Sequence, residues 1–200
     1  HLPRRHEGPE GADARAALHL EVAQALTHLG ASTLEIAEHV ARGARPGNRD
    51  AVAQLTAAAD ELAESDPSTA LRISELALQL VGRGETPLRL QVVRVASLAA
   101  CGHAAEAETL GSALLLAGTT TEVEAKIHRE LALAAFVSGR PGDAEQHMTR
   151  VVELAASRES AARAVTEQAW ARMLALDRDG AWDGTHAGVA NGDTATRISA

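Results

Sequence analysis

The chain carries nine histidines, enough to raise the question of a metal. Zinc held on a helix needs ligands one turn apart, as in His-Glu-x-x-His. His19, His28 and His39 stand nine and eleven residues apart, and no histidine pair has the one-turn spacing. No metal site is assigned. His19 and His39 are expected to pack partly buried at helix crossings, each donating a proton to a carbonyl or carboxylate. Cys101, the only cysteine, has His103 two residues away across Gly102, and a thiol nucleophile requires such a base and a depressed pKa. Its place in the last turn of a helix suits a small apolar residue, so Cys101 is read as structural. A phosphate loop needs a glycine-rich turn ending in Lys before Ser or Thr. The only lysine, Lys126, lies between Glu124-Ala125 and Ile127, which excludes one. Gly82-Arg83-Gly84-Glu85 runs into Thr86-Pro87 and reads as an interhelix turn rather than an anion cradle. Serine, histidine and aspartate are plentiful, but no nucleophile elbow joins them. No catalytic or cofactor-binding residue is assigned.

Bulk composition agrees. Lys and Arg number 19 against 27 Asp and Glu, a formal net charge of −8, which repels phosphate backbones and predicts no direct nucleic-acid contact. The acidic side chains, among them Glu61, Glu75, Glu106 and Glu122, mostly fall off the apolar stripes. They are expected on solvated faces, some paired with Arg at i, i+4. One cysteine allows no internal disulfide, in keeping with a cytoplasmic protein. The longest apolar stretches, such as Leu131 to Val137, fall far short of the ~18 residues of a membrane span. His1 in place of Met, and the stop at Ala200, point to a fragment of something longer.

The elements that must position these residues are helices. Only 2% of the chain is aromatic, and alanine supplies roughly a fifth of it, far above the usual share. Such a core suits closely packed helices and disfavours a β-sandwich, whose strands prefer β-branched and aromatic side chains. Apolar residues recur at helical spacing: Leu18, Val22, Ala25, Leu26 and Leu29; Val52, Leu55, Ala59 and Leu62; Ala70, Ile73, Ala77 and Leu80; and similarly through Leu176. Capping-box spacing occurs at Ser32 with Glu35 and Thr121 with Glu124. Asp66-Pro67 and Thr86-Pro87 each place a good N-cap before a proline suited to the first helical turn. Gly30, Gly43, Gly102, Gly118 and Gly139 stand where helices end, at positive φ. The spacing predicts helices over 12–29, 33–42, 49–64, 67–81, 87–101, 103–117, 121–138, 141–156 and 159–177.

Ser65, Gly102 and Gly139 are each 37 residues apart, and five residues past each stands an alanine, Ala70, Ala107 and Ala144. A short break followed by a helix with a small residue at its crossing is the unit of a helical solenoid. Gly180-Ala181-Trp182-Asp183 reads as a further turn. Trp170 and Trp182 are expected to close the core of the last repeat rather than anchor a partner.

From Arg15 to Leu80 the chain resembles a known family. Arg15-Ala16-Ala17-Leu18-His19 and Val22-Ala23-Gln24-Ala25-Leu26 resemble the arginine-x-x-leucine-histidine helix of the large ATPase-containing LuxR-type (MalT-like) transcriptional regulators. Glu35-Ile36-Ala37-Glu38-His39-Val40 before Gly43-Ala44 is similar to the next element. Ala57-Ala58-Ala59, Asp66-Pro67-x-x-Ala70 and Ala77-Leu78-Gln79-Leu80 continue the pattern. The later units resemble that family's tetratricopeptide-like sensor arm. Residues 1–12 depart from the winged-helix strand that precedes the arm, and the ATPase core and DNA-binding helix-turn-helix are not on this chain. The resemblance implies a middle piece, linked to other domains of a longer parent.

The expectation is therefore an all-α, superhelical array of antiparallel helix hairpins, a tetratricopeptide-like solenoid. Residues 1–12 would be poorly ordered, 13–47 a hairpin linking to the preceding region, 48–177 the repeats of ~37-residue period, and 178–200 an incomplete repeat with a frayed tail. Functionally it would be a non-catalytic binding or sensing module, offering a concave surface to a protein or small-molecule effector. Arg89, Arg94 and Arg129 are the expected groove contacts. A free-standing interaction scaffold is the alternative, and a small metal-dependent or cysteine hydrolase a more distant one.

Overall fold

The computed structural model describes residues 9–155 and 157–174, and all its regular elements there are helices. They are α1 (Pro9–His28), α2 (Thr33–Gly43), α3 (Arg49–Leu62), α4 (Pro67–Val81), α5 (Leu88–Ala100), α6 (Ala104–Ala117), α7 (Thr121–Val137), α8 (Pro141–Glu153) and α9 (Arg158–Leu174). Residues 9–12, expected in a poorly ordered segment, are helical: α1 opens on Pro9, a residue pre-set for a first helical turn. The turn at Gly180, Trp182 and the segment 178–200 lie outside the described residues.

Local chemistry explains most boundaries. Ser32 and Glu35 form a full capping box at the start of α2. Asp66 caps α4, accepting from Thr69 N–H at 3.1 Å with Pro67 in the first turn. Hydrogen bonds from Thr69 and then Ser68 hold its carboxyl below the usual carboxylate range. Two expected starts shift. The cap of α7 is Thr120, whose hydroxyl accepts from Val123 N–H, so the Thr121–Glu124 box does not form. Consecutive threonines compete for one capping position, and the helix adopts the earlier. α5 begins at Leu88 rather than Pro87, because the Pro87 carbonyl accepts the first helical bond, from Gln91 N–H at 3.1 Å.

Two helix ends repeat at the expected spacing. After α5, His103 N–H bonds Leu98 O (2.9 Å) and Gly102 N–H bonds Ala99 O (3.1 Å); after α7, Arg140 N–H bonds Ala135 O (2.9 Å) and Gly139 N–H bonds Phe136 O (3.0 Å). Each donor and acceptor of the second set lies 37 residues beyond its counterpart. Both are Schellman closures, and both rest on a glycine at positive φ, 80° at Gly102 and 72° at Gly139. Where Ser65 stands in place of glycine, the closing bond is instead Asp66 N–H to Leu62 O. Ala70, Ala107 and Ala144 are all buried, as small residues at helix crossings must be.

The chain divides inside α5, between Arg94 and Val95, into two units. In the first, α1 packs on α2 and α3 on α4, with α2 also touching α3 and α4. Its core is Ala23, Ala37, Val40, Val52, Leu55, Ala59, Ala70, Ile73, Ala77, Leu80, Leu90 and Val93 with Ala51. The stripe expected on α1 is only partly its core face: Val22 and Leu26 are half-buried, but Leu18 is 57% exposed and Leu29 80%, and the rest of the packed face is Ala23, buried, with Ala16 and His19 half-buried. In the second unit α6 packs on α7, α7 on α8 and α8 on α9. Ile127, Leu131, Ala134, Ala135, Ala144, Met148 and Val151 are buried there. Among the described side chains no ring is fully buried, and the side chain of Trp170, expected to close the last repeat, lies outside them.

Gly43 corrects another expectation. It does not close α2 at positive φ but is its last, buried residue, where a Cβ would come 2.7 Å from Leu20 Cγ and 2.8 Å from Ala16 O. Its function is close approach of α1 to α2.

Candidate functional site

The first unit holds a cavity of about 600 Å³. Its lining comes from the start of α3 (Arg49, Val52, Ala53, Thr56), the end of α4 (Leu80, Val81), the α4–α5 turn (Arg83, Gly84, Glu85, Pro87) and Arg89 at the start of α5, with Gly47. The α2–α3 loop is pinned to the end of α4 by Gly47 N–H donating to Leu80 O at 2.6 Å. Leu80 and Val52 are buried, and the Thr56 hydroxyl is already committed, donating to Val52 O at 2.7 Å. Gly82-Arg83-Gly84-Glu85 is the interhelix turn expected of it, and three of its four residues also border this cavity.

Of the three arginines expected to contact a ligand, Arg89 reaches this cavity. Its Nε and Nη2 donate to Asp60 Oδ2 at 3.2 and 2.8 Å, an ion pair joining α5 to α3. Arg94, further along α5, is half-buried, and its Nη1 is buried with no hydrogen-bond partner. Arg129 belongs to the second unit, where its Nε donates to Glu167 Oε2 at 2.9 Å, joining α7 to α9. In sequence the turn holding Arg83 reads as a connection rather than an anion cradle, and Arg49 is not singled out, because 34 residues separate the two and only the packing of α3 on α4 brings both to one cavity. Pairing along one helix does occur, as in Arg42 with Glu38 at 3.1 Å. Other pairs reach from one element to another: Arg72 with Glu38, Arg140 with Glu108, and Arg150 with Glu124.

The histidines form pairs that sequence spacing hides. His19 and His39 face each other across α1 and α2 with Nδ1 atoms 3.1 Å apart, so each finds a ring partner rather than a carbonyl or carboxylate. Their rings are tilted by 59° with centroids 5.0 Å apart. His128 and His147 do the same across α7 and α8, at 2.9 Å. A bond between two Nδ1 atoms holds one proton, so protonating both rings breaks it. Burial pushes the His128 pKa down, followed by repulsion from His147; Glu124 opposes and Arg150 adds to the fall. Burial also lowers that of His147, with Asp143 opposing and Arg140 reinforcing.

A depressed folded-state pKa means that both rings are neutral in both states above the unfolded value of ~6.5, where their contribution is fully present. As pH falls through that value the unfolded chain takes up protons that the folded pair refuses, so stability drops until the lower folded pKa values are passed. The urea midpoint is therefore expected to fall between about pH 7 and about pH 5.5, and to fall less steeply in His147→Gln. Equal slopes in the two proteins would refute this assignment.

Cys101 sits just past α5, in the turn, half-buried. His103 Nδ1 lies 3.4 Å from Glu106 Oε1. No group of three or more His, Cys, Asp or Glu suited to a metal occurs among the described residues. No helix there is long and apolar enough to cross a membrane.

Hairpins closed by glycine turns and crossing at alanines define the architecture. The fold is tetratricopeptide-like. A solved structure titled "MamA RS-1 ArsTM double mutant", itself a tetratricopeptide-like helical-repeat protein, is similar to this chain with a TM-score of 0.59 and 16% identity, over 88% of this chain and 94% of that one. At that identity the likeness is one of fold. No family model and no curated protein matches the chain.

Proposed function

We propose that this chain is a non-catalytic interaction module, a tetratricopeptide-like scaffold that binds a partner protein. One observation carries the reading: the core apolar side chains pack between helices, while two helix ends recur at a fixed spacing. A helix hairpin cannot bury its apolar face alone, so repeated hairpins build surface rather than an enclosed reaction chamber. Leu29 and Leu116, 80% and 89% exposed, leave apolar contact area outside the cores. The groups best suited to catalysis are occupied with one another, His19 with His39, His128 with His147, and His103 beside Glu106.

The likeness in fold fits a free-standing scaffold better than a regulator's sensor arm, which rests on the Arg15–Leu80 motifs. An open reading frame continuing upstream into a phosphate loop and downstream into a helix-turn-helix would favour the regulator.

The test is affinity capture with the purified chain from its native source, followed by titration of each recovered protein. A saturable complex with a Kd tighter than about 10⁻⁵ M is expected, typical of specific if transient association. If every recovered protein binds without saturation, or if the chain turns over a substrate, the scaffold reading fails.

A further inference from the structure

We propose that the cavity of the first unit binds a small aliphatic monocarboxylate, its hydrocarbon body against Val52, Leu80, Val81 and Pro87 and its charge held by Arg49 and Arg83. This goes beyond the scaffold reading and does not depend on it.

Charge makes the first argument. Carboxylates outnumber Lys and Arg by 27 to 19, and most described arginines are engaged: Arg42 and Arg72 with Glu38, Arg89 with Asp60, Arg129 with Glu167, Arg140 with Glu108 and Asp143, Arg150 with Glu124 and Glu153. Among the described residues Arg49 and Arg83 make no such pair, and both line the same cavity. The Arg89 charge is met by Asp60, and Glu85 on the lining offsets one of the two free guanidiniums. One net positive charge is left, which matches a monoanion. Planar guanidiniums favour a carboxylate because its two oxygens accept parallel N–H bonds.

The walls make the second. The apolar lining is aliphatic throughout: Val52, Ala53, Leu80, Val81 and Pro87. No ring is present to stack on a base or an aryl group, and the one lining hydroxyl, on Thr56, already donates to Val52 O. Glu85 and the arginines can bond some hydroxyls of a sugar or nucleotide, but those set against the aliphatic wall would be buried unpaired, which is costly. A hydrocarbon chain loses nothing there. The volume of about 600 Å³ falls within the ~300–1,000 Å³ of small-molecule sites.

Octanoate is the probe, titrated calorimetrically into the full chain with octan-1-ol and octylammonium as controls. Saturable binding of octanoate at a single site is expected, with both controls weaker by about tenfold. Arg49→Gln and Arg83→Gln should each weaken binding about threefold to tenfold, and Arg49→Lys should recover part of the loss. Both side chains are exposed and unpaired, so unchanged melting curves should accompany the change. The unaltered protein provides a check independent of the variants. Raising salt from about 0.01 M to about 1 M shortens the Debye length from about 30 Å to about 3 Å and should weaken octanoate but not octan-1-ol. Equal affinity for octanoate and octan-1-ol, non-saturating uptake, or indifference to both salt and the Arg49→Gln/Arg83→Gln double substitution overturns the proposal. So does saturable binding of an acidic peptide where octanoate does not bind.

Discussion

Replacing Leu131 by alanine is expected to destabilise the second unit by about 2–5 kcal/mol, the range for truncating a buried leucine. Leu131 is 1% exposed on α7, and it lies over Gly111 of α6, where an added Cβ would come 2.9 Å from Leu131 Cδ2 and 3.2 Å from its Cγ. The two positions are a matched small–large pair, so their substitutions should couple. Gly111→Ala alone gains up to ~1 kcal/mol of helix propensity but forces the leucine and Ile127 Cγ2, 3.3 Å away, to move. In the Leu131→Ala background the same methyl enters vacated space. A double-mutant cycle in urea should give a favourable coupling of about 1 kcal/mol or more. A Leu131→Ala protein within ~0.5 kcal/mol of the parent, or strict additivity, would show that α6 and α7 do not meet through this pair.

The helix inventory was legible because its signals are local. A capping hydroxyl or carboxylate, a proline in the first turn and a glycine past the last act within a few residues, and Ser32, Asp66, Gly102 and Gly139 all act where the sequence places them. What escaped depends on which face a helix turns to its neighbour. On α1, Leu18 and Leu29 look like core residues at helical spacing, yet α2 packs against the face carrying Ala16, His19 and Ala23. The small residues and the histidine allow a closer approach than the leucines would. The histidine pairs escaped for the same reason: His19 and His39 are 20 residues apart, His128 and His147 19, and no one-turn motif exists until a hairpin folds. The cavity joins positions near 49 to others near 83, and its unpaired arginines are recognisable only after most other arginines have found carboxylates. Local chemistry specifies the rods; the pairing of faces, and so the candidate site, is decided by which side chains fit between them.

Gly43 gives the second large effect. Gly43→Val is expected to loosen the α1–α2 hairpin by about 1–3 kcal/mol, the usual cost of overpacking. The obstacle is more than a side chain able to rotate away. A Cβ there meets Leu20 Cγ at 2.7 Å and Leu20 Cδ2 at 2.9 Å, but also the backbone oxygen of Ala16 at 2.8 Å, which can yield only if α1 itself moves. Propensity favours the substitution, since glycine inside a helix is worth about 1 kcal/mol less than alanine, so even Gly43→Ala sets a small gain against a backbone clash. Gly142 provides the contrast: it lies in the first turn of α8, has no atom within 4 Å of an added Cβ and no positive φ. Gly142→Ala should therefore be neutral or stabilise by up to about 1 kcal/mol. Because α1 packs chiefly on α2, the damage from Gly43→Val should appear first as faster amide hydrogen exchange along α1, a local opening rather than global unfolding. Protection of α1 equal to the parent's, with an unchanged urea midpoint, would mean that the two helices do not approach through Gly43. The same experiment separates the two uses of glycine in this fold, since Gly102→Ala should act through the positive φ of the α5–α6 turn, with nothing within 4 Å to clash, and leave the exchange of α1 untouched.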